Sequence, residues 1–284
     1  MPGRTNRIGR HLPTSGGMNK TLQRAEDLGC ETVQVFVSNP QGWADPVPRP
    51  EGTAFADGAR RMGLSPVVVH AKYLINLASG KPEQRERSIH ALARELAAAG
   101  ELGADLVVVH SGNHGGDGEK PGTERLVESL ARARELADSG AAEPVIENSV
   151  GAGTQLCATF ESLADAAGRA GVRVCVDTAH AFAAGYDFST GKNTRRVAEE
   201  LGEALDGRVA LFHLNDARHG LGSHRDGHRR IGEGQVPVES WKEFFSALPG
   251  IPVVMETPYA TPEVDAEQVR LVKELAGGLP KSPE

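Results

Sequence analysis

Cysteine is scarce in this chain. Three residues, Cys30, Cys157 and Cys175, are spread over 284 positions and are odd in number, so no disulfide framework is implied and a reducing compartment is favoured. They are expected to be small, buried apolar side chains that stand apart from any site. The opening MPGRTNRIGRHLPTSGG lacks the apolar stretch of a signal peptide. No apolar run approaches the roughly 20 residues that span a bilayer, so a soluble, cytoplasmic protein with no membrane partner is expected. An excess of positive charge is also missing: 31 Lys and Arg face 38 Asp and Glu, for a formal net charge of -7. That excludes a generally basic, nucleic-acid-coating surface, though not a local basic face. Linkers, composition breaks, short repeats and low-complexity segments are absent apart from the polar tail PKSPE. Residues 1–284 are therefore expected to form a single domain.

What the chain does have is alternation. Short β-branched runs predict strands at 7–12, 32–38, 66–71, 105–111, 144–149, 173–178, 209–215 and 251–257. Helical periodicity marks 18–29, 83–103, 123–140, 162–170, 239–248 and 263–278, with Gly29, Gly103 and Gly140 as C-terminal stops. Strands that each precede a helix predict an α/β fold, a closed (β/α)8 TIM barrel with its active site at the C-terminal end of the strands. An open doubly wound sheet would be expected to carry a Gly-rich dinucleotide or phosphate loop after a strand, and none is present.

The ends of the eight runs are His11, Asn39, His70, His110, Glu147, Asp177, His213 and Glu256. From the third run onward, each end is His, Asp or Glu. With 38 acidic residues and 10 histidines in 284, these types fill about one position in six, so composition does not account for six in succession. A single strand-end His or carboxylate is usually a cap or a structural group. A convergent ring is different, because buried charge is costly unless something pairs it. A divalent metal is the obvious partner. Imidazole and carboxylate without thiolate suit a catalytic zinc, manganese or iron site better than a structural zinc. In VCVDTAHAFAAGYD (174–187), His180 follows Asp177 by three residues, a spacing that permits one shared metal on a helix. After the seventh strand, HLNDARHGLGSHRDGHRRIGEG (213–234) sets Asp226 and His228 one residue apart, beside Arg218, Arg225, Arg229 and Arg230. Guanidinium groups next to metal ligands suggest a phosphate-bearing substrate.

Six segments carry a resemblance: HAKYLINLAS (70–79), VIENSVGAGTQL (145–156), VCVDTAHAFAAGYD (174–187), HLNDA (213–217), DGHRRIGEG (226–234) and MET (255–257). Over nearly its whole length the chain resembles bacterial endonuclease IV, a TIM-barrel family of zinc-dependent apurinic/apyrimidinic endonucleases and 3′-repair diesterases. The resemblance implies three Zn2+ ions on nine ligands, with Mn2+ or Fe2+ as alternatives at individual sites. His70 and His110 would hold the first ion, with Glu147 bridging to the second. Asp177, His213 and Glu256 would complete the second, and His180, Asp226 and His228 would hold the third. The implied reaction is hydrolysis of the phosphodiester 5′ to an abasic site in double-stranded DNA, leaving a 3′-hydroxyl and a 5′-deoxyribose phosphate. Blocked 3′ ends would be trimmed by the same centre. Glu147 and Glu256 would be the catalytic carboxylates, the second orienting the attacking water.

By the same resemblance, Tyr73 and Leu74 open the DNA at the lesion, and Gln41 stands where the family has an arginine that enters the base stack. Gly227 replaces a basic residue that usually separates Asp226 from His228, a loss for which Arg225 or Arg229 would compensate. HSGNH after the fourth strand replaces the usual HPGSH. A monomer without an obligate protein partner, located at the nucleoid through DNA, is expected. Two other readings stay open. One is a metal-dependent sugar isomerase or epimerase on the same barrel, which would not need Asp226 and His228. The other is a DNA-damage binding protein whose cutting has decayed through Gln41 and Gly227; the intact Glu147 and Glu256 argue against it.

Overall fold

The computed structural model describes residues 6–47, 52–137 and 140–277, and all eight predicted runs form strands. In chain order they are β1 (Ile8–His11), β2 (Thr32–Val35), β3 (Val67–His70), β4 (Leu106–His110), β5 (Glu143–Glu147), β6 (Arg173–Asp177) and β7 (Val209–His213). Two short strands follow, β8 (Asp216–Ala217) and β9 (His228–Arg229), paired antiparallel to each other. The eighth barrel strand is β10 (Val253–Met255). The barrel strands close in the order β1-β10-β7-β6-β5-β4-β3-β2, all parallel.

Closure buries both faces of each strand, which is why the runs are almost wholly apolar rather than alternating. Side chains still alternate across the pleat. One set, including Val68, Val108, Val145, Cys175, Leu211 and Val254, forms a separate cluster inside the barrel. The intervening set, including Val69, Val107, Ile146, Val174, Val176 and Phe212, packs against the helices. Two residues beyond each of those six inner side chains come His70, His110, Glu147, Asp177, His213 and Glu256. The pleat thus sends the apolar floor and the ionisable ring above it to the same interior.

The surrounding helices are α1 (Met18–Asp27), α2 (Gly52–Met62), α3 (Pro82–Glu101), α4 (Glu119–Leu136), α5 (Phe160–Ala170), α6 (Thr178–Ala184), α7 (Gly191–Leu205), α8 (Val238–Ala247) and α9 (Pro262–Leu275). Local chemistry sets their ends. Thr159 and Ser162 form a reciprocal cap on α5, and Thr261 caps α9 just before Pro262. Gly29 and Gly103 follow α1 and α3 with φ of 67° and 73°, returning the chain through Cys30 N–H to Ala25 and Ala104 N–H to Ala99. Gly140 does not act that way, because α4 already ends at Leu136. That helix also starts earlier than periodicity suggests, since Pro121 in its first turn has no amide hydrogen to strand. The strand ends are shorter than predicted: β2 stops at Val35, and Glu256 lies one residue past β10. Of the six ligand-type side chains at the rim from His70 to Glu256, five end a strand and Glu256 alone is the first loop residue.

Candidate metal centre

Glu147, at the end of β5, is 1% exposed and is the hub of the ring. Its Oε1 lies 2.8 Å from His213 Nδ1, and its Oε2 lies 3.5 Å from His70 Nε2 and 3.3 Å from His110 Nε2. Oε2 is buried without a hydrogen bond. Glu256 Oε2 approaches the same His213 Nδ1 at 3.3 Å. Two groups of ligand atoms result, His70–His110–Glu147 and Glu147–Asp177–His213–Glu256, each with all atoms within 4.8 Å of one another.

A third group, Asp177–His180–His228, lies alongside. Asp177 ends β6 and caps α6: its Oδ1 accepts from His180 N–H at 2.8 Å. Its Oδ2 faces His228 Nε2 at 3.4 Å, so the residue borders both the second and third groups. Asp226 Oδ1 sits 3.4 Å from His180 Nε2 and 3.6 Å from His228 Nε2. Like Glu147 Oε2, His228 Nε2 is buried with no hydrogen bond. Separations of 3.3 to 3.6 Å are long for hydrogen bonds. They suit ligands sharing a cation: a tetrahedron with metal–ligand bonds of about 2.0–2.1 Å has edges of roughly 3.3–3.4 Å. The donor set, imidazole and carboxylate with orphaned atoms between them, fits divalent metal.

The electrostatics demand positive charge in this place. Burial alone would raise Glu147, but the imidazoles of His213, His110 and His70 hold it well below the usual carboxylate range. Burial alone would lower His213, yet Cys175 beneath it and the carboxylates of Glu256 and Glu147 hold it well above an ordinary imidazole. For His180, burial is again outweighed, by Asp177, Asp226 and Glu147, and the ring is pushed up to about 10. The hydrogen bond from His180 holds Asp226 down at about 2. Protons on these imidazoles occupy the electrostatic role that a divalent ion fills when it binds.

Sequence reasoning set the cysteines apart, and one is not. All three are buried, but Cys175 lies in a group with Glu147 and His213, two residues below Asp177 on the inner face. Burial pushes its thiol up to about 12, so it remains an uncharged floor residue. The residues that orient the ring were also passed over. Asn148 pairs with the backbone of Asp177 through both amide atoms, at 2.7 and 3.1 Å. Asn215 donates to Asp177 Oδ2 at 2.6 Å and accepts from Glu256 N–H at 2.8 Å. Each directly follows a candidate ligand or its neighbour in VIENS and HLNDA, and that adjacency was the available signal. Gln34, wholly buried in β2, carried a signal too: one amide between β-branched residues.

The loop of the third group is stapled by Asp216. Its Oδ2 accepts from Gly232 and Gly234 and its Oδ1 from Val236, each at 3.0 Å. A Cβ on Gly234 would stand 2.4 Å from Asp216 Oδ1, so only glycine lets the backbone come that close.

Of the residues expected from the sequence to face DNA, Tyr73 and Leu74 lie at the cleft that reaches this ring. Tyr73 is half-exposed and stacks on His110, ring centres 5.8 Å apart. With Leu74 it lines a cleft of about 330 Å³ that also reaches His110, Glu147, His180 and Asp226. Gln41 is exposed, its N–H held by Asn39 Oδ1 at 3.0 Å. Arg225 and Arg229 are exposed. At Gly227, a Cβ would stand 3.1 Å from Arg218 and 3.2 Å from His219, so there is little room for a larger residue. In HSGNH, Gly112 has φ of 78°, and a Cβ there would meet Asn76 Oδ1 at 2.4 Å.

Residues 22–276 match the family described as xylose isomerase-like TIM barrel. A curated relative from Chloroflexus aurantiacus, named "Probable endonuclease 4", is 38% identical over 261 residues, 89% of this chain and 91% of its own. Among solved structures, endonuclease IV from Thermus thermophilus superposes with a TM-score of 0.86 at 33% identity, covering 96% of this chain and 100% of that one. A D-tagatose 3-epimerase-like protein reaches a TM-score of 0.71 at 18% identity over 95% of this chain and 98% of its own, a likeness of fold alone. Identity above 30% along almost the full length separates the first two from the third, and on that ground the chain belongs to the endonuclease 4 family within the xylose isomerase-like TIM barrels.

Proposed function

We propose that this chain is an apurinic/apyrimidinic endonuclease that cuts duplex DNA on the 5′ side of an abasic site, leaving a 3′-hydroxyl and a 5′-deoxyribose phosphate. The observation that carries the reading is Glu147, whose unpaired Oε2 sits between two imidazoles while Oε1 meets a third. Under this reading His70, His110 and Glu147 hold one ion, Glu147, Asp177, His213 and Glu256 a second, and His180, Asp226 and His228 a third. Zinc is the proposed occupant, with manganese or iron as alternatives. Bound ions would supply Lewis acidity, favouring ionisation of the attacking water near neutral pH and offsetting charge on the phosphate and leaving oxygen.

The chain's own residues do the rest. Asn215 keeps Asp177 Oδ2 turned inward and fixes the Glu256 backbone, so both carboxylates present preset faces to the substrate. Glu256 lies at the open edge of the ring, its side chain 16% exposed, and orients the attacking water. Tyr73 and Leu74 fill the space left by the extruded abasic nucleotide, whose missing base lowers the cost of flipping. Arg225 and Arg229 take phosphates along the strand, and Gln41, on the segment joined to Tyr73, probes the stack. The same pocket accepts a blocked 3′ end in place of an internal abasic site. No helix among the described residues is long and apolar enough to cross a membrane. A single-domain monomer, acting in the cytoplasm at the nucleoid, completes the reading.

The isomerase alternative shares the barrel, but it has no use for the third group with Asp226 or for the arginines around it. To test the proposal, purified protein is incubated with a duplex bearing one tetrahydrofuran abasic analogue, without added magnesium. Incision 5′ to the lesion that outlasts brief EDTA and dies on prolonged chelation is expected, with about three ions per chain by metal analysis. Intact duplex after treatment with fully loaded protein overturns the nuclease reading, and a single ion per chain overturns the trinuclear one.

A further inference from the structure

An ionised carboxylate only accepts hydrogen bonds, and from Glu256 that fact propagates. Gln34 Nε2 donates to Glu256 Oε1 at 2.6 Å. The other amide hydrogen faces His11 Nδ1 at 3.0 Å. Both donors of the amide are then committed. Turning the amide over would press its carbonyl oxygen against a carboxylate, so its orientation is settled. The carbonyl Oε1 therefore faces His213 Nε2, at 2.8 Å. A carbonyl also only accepts, so Nε2 of His213 carries a hydrogen. What remains for a metal is Nδ1, the nitrogen that looks at Glu147 and Glu256 from 2.8 and 3.3 Å. Two neighbouring histidines are set the opposite way. His70 and His180 engage Nδ1 with the backbone oxygens of Ala71 and Asn148, at 2.7 and 3.0 Å, and turn Nε2 to the ring.

We infer that Gln34 is a positioning residue of the second metal group: locked by Glu256, it fixes His213 in the Nε2–H form and makes Nδ1 its metal-binding nitrogen, whereas His70 and His180 bind through Nε2. The inference rests on the proposed reading of His213 and Glu256 as ligands of one ion. Gln34 touches neither substrate nor ion. It transmits the polarity of one ligand to another across the barrel interior, and loss of such a partner typically weakens metal binding about 10–100-fold.

The full-length chain, labelled with 15N-histidine and loaded with 113Cd2+, gives a direct readout. His213 is identified in long-range proton–nitrogen spectra by the signals missing from His213→Gln. Cadmium coupling at Nδ1, with Nε2 protonated, is the expected result. Coupling at Nε2 overturns the inference and leaves the ligand assignment standing. Coupling at other histidines but not at His213 overturns the assignment itself, and the inference with it. These outcomes need only the unmodified chain to fold; His213→Gln serves solely to identify a signal. A second measurement is zinc affinity by chelator competition, where Gln34→Leu is expected to weaken the second ion about 10–100-fold and to release His213 into mixed tautomers. Gln34→Glu keeps an acceptor opposite His213, so the Nε2–H signal should persist although the hold on Glu256 is lost. An unaltered His213 tautomer in Gln34→Leu overturns the inference.

Discussion

The first two ligand groups and the third reach the same cleft by different physical means. Glu147 and His213 sit on strand ends, two residues above apolar floor residues, and neither exceeds 1% exposure. Neighbouring strands fix their positions. Asp226 and His228 instead ride on the long excursion after β7, and the Asp226 side chain is 63% exposed. They are held by the β8–β9 pairing and by one buried carboxylate, Asp216. A barrel thus makes part of its site rigid through the sheet and another part through a stapled loop, and the two parts should fail independently.

The largest expected effect lies on the strand side. Glu147→Gln removes the charge that the first two groups share, and an interaction worth several kcal/mol to the transition state corresponds to roughly a 10³-fold loss of incision. Metal analysis should show both of those ions depleted while the third remains. Equal loss of all three would mean that the groups are not separable. On the loop side, Asp216→Asn puts an amide group where backbone N–H groups need an acceptor. Losing charged hydrogen bonds of this kind costs about 2–3 kcal/mol, or roughly 3–5 °C in melting temperature for a chain of this size. One ion should be lost, the one nearest His180 and His228, with the strand-borne pair retained.

This contrast also governs what was legible in the sequence. The barrel and all six strand-end residues from His70 to Glu256 could be read because β-branched runs stop just where the ionisable residue begins. Placement of Asp226 and His228 could not be read from periodicity. A loop has no period, and D-x-H alone does not say what it faces; only resemblance supplied that. Asp216, Asn148, Asn215 and Gln34 were missed for another reason. They act on other side chains, and a single buried amide or carboxylate looks the same in sequence whether it orients a ligand or closes a turn. Cys175 was set apart because sequence distance hid what the pleat makes plain.

Acidity offers a milder way to probe the third group. In the metal-free protein His180 is raised to about 10 from an ordinary 6.5, so its contribution to stability is complete below about pH 6.5 and fades as pH rises toward 10. Asp226, depressed to about 2, contributes above about pH 4 and loses that contribution only as pH falls through 2. The EDTA-stripped chain should therefore lose melting temperature between pH 6.5 and 10. Metal binding requires the same imidazole to give up its proton, so the stabilisation on adding zinc should grow over that interval. A gap between loaded and stripped protein that stays constant with pH would place the ion away from His180.

The smallest expected effect concerns the rim, away from the ligand ring. The segment bearing Gln41 is tied down: Lys72 Nζ donates to Ala44 O at 2.7 Å, Arg87 lies over Trp43 at 4.3 Å, and Arg94 pairs with Asp45. Tyr73 N–H also donates to Pro40 O at 3.0 Å, which joins this segment to the one bearing Tyr73 and Leu74. A side chain placed at position 41 is thus presented from a preformed turn, and little ordering is needed when DNA arrives. Gln41→Arg should tighten binding to an abasic duplex by about tenfold at low salt and steepen the salt dependence by about one phosphate contact. Metal content and the rate at saturating DNA should not change. Gly227→Arg should gain less, because its Cβ would crowd Arg218 and His219. If Gln41→Arg leaves both affinity and salt slope unaltered, the 39–47 segment does not meet the duplex. Strand opening then falls to Tyr73 and Leu74 alone, on the side of the cleft built over the sheet.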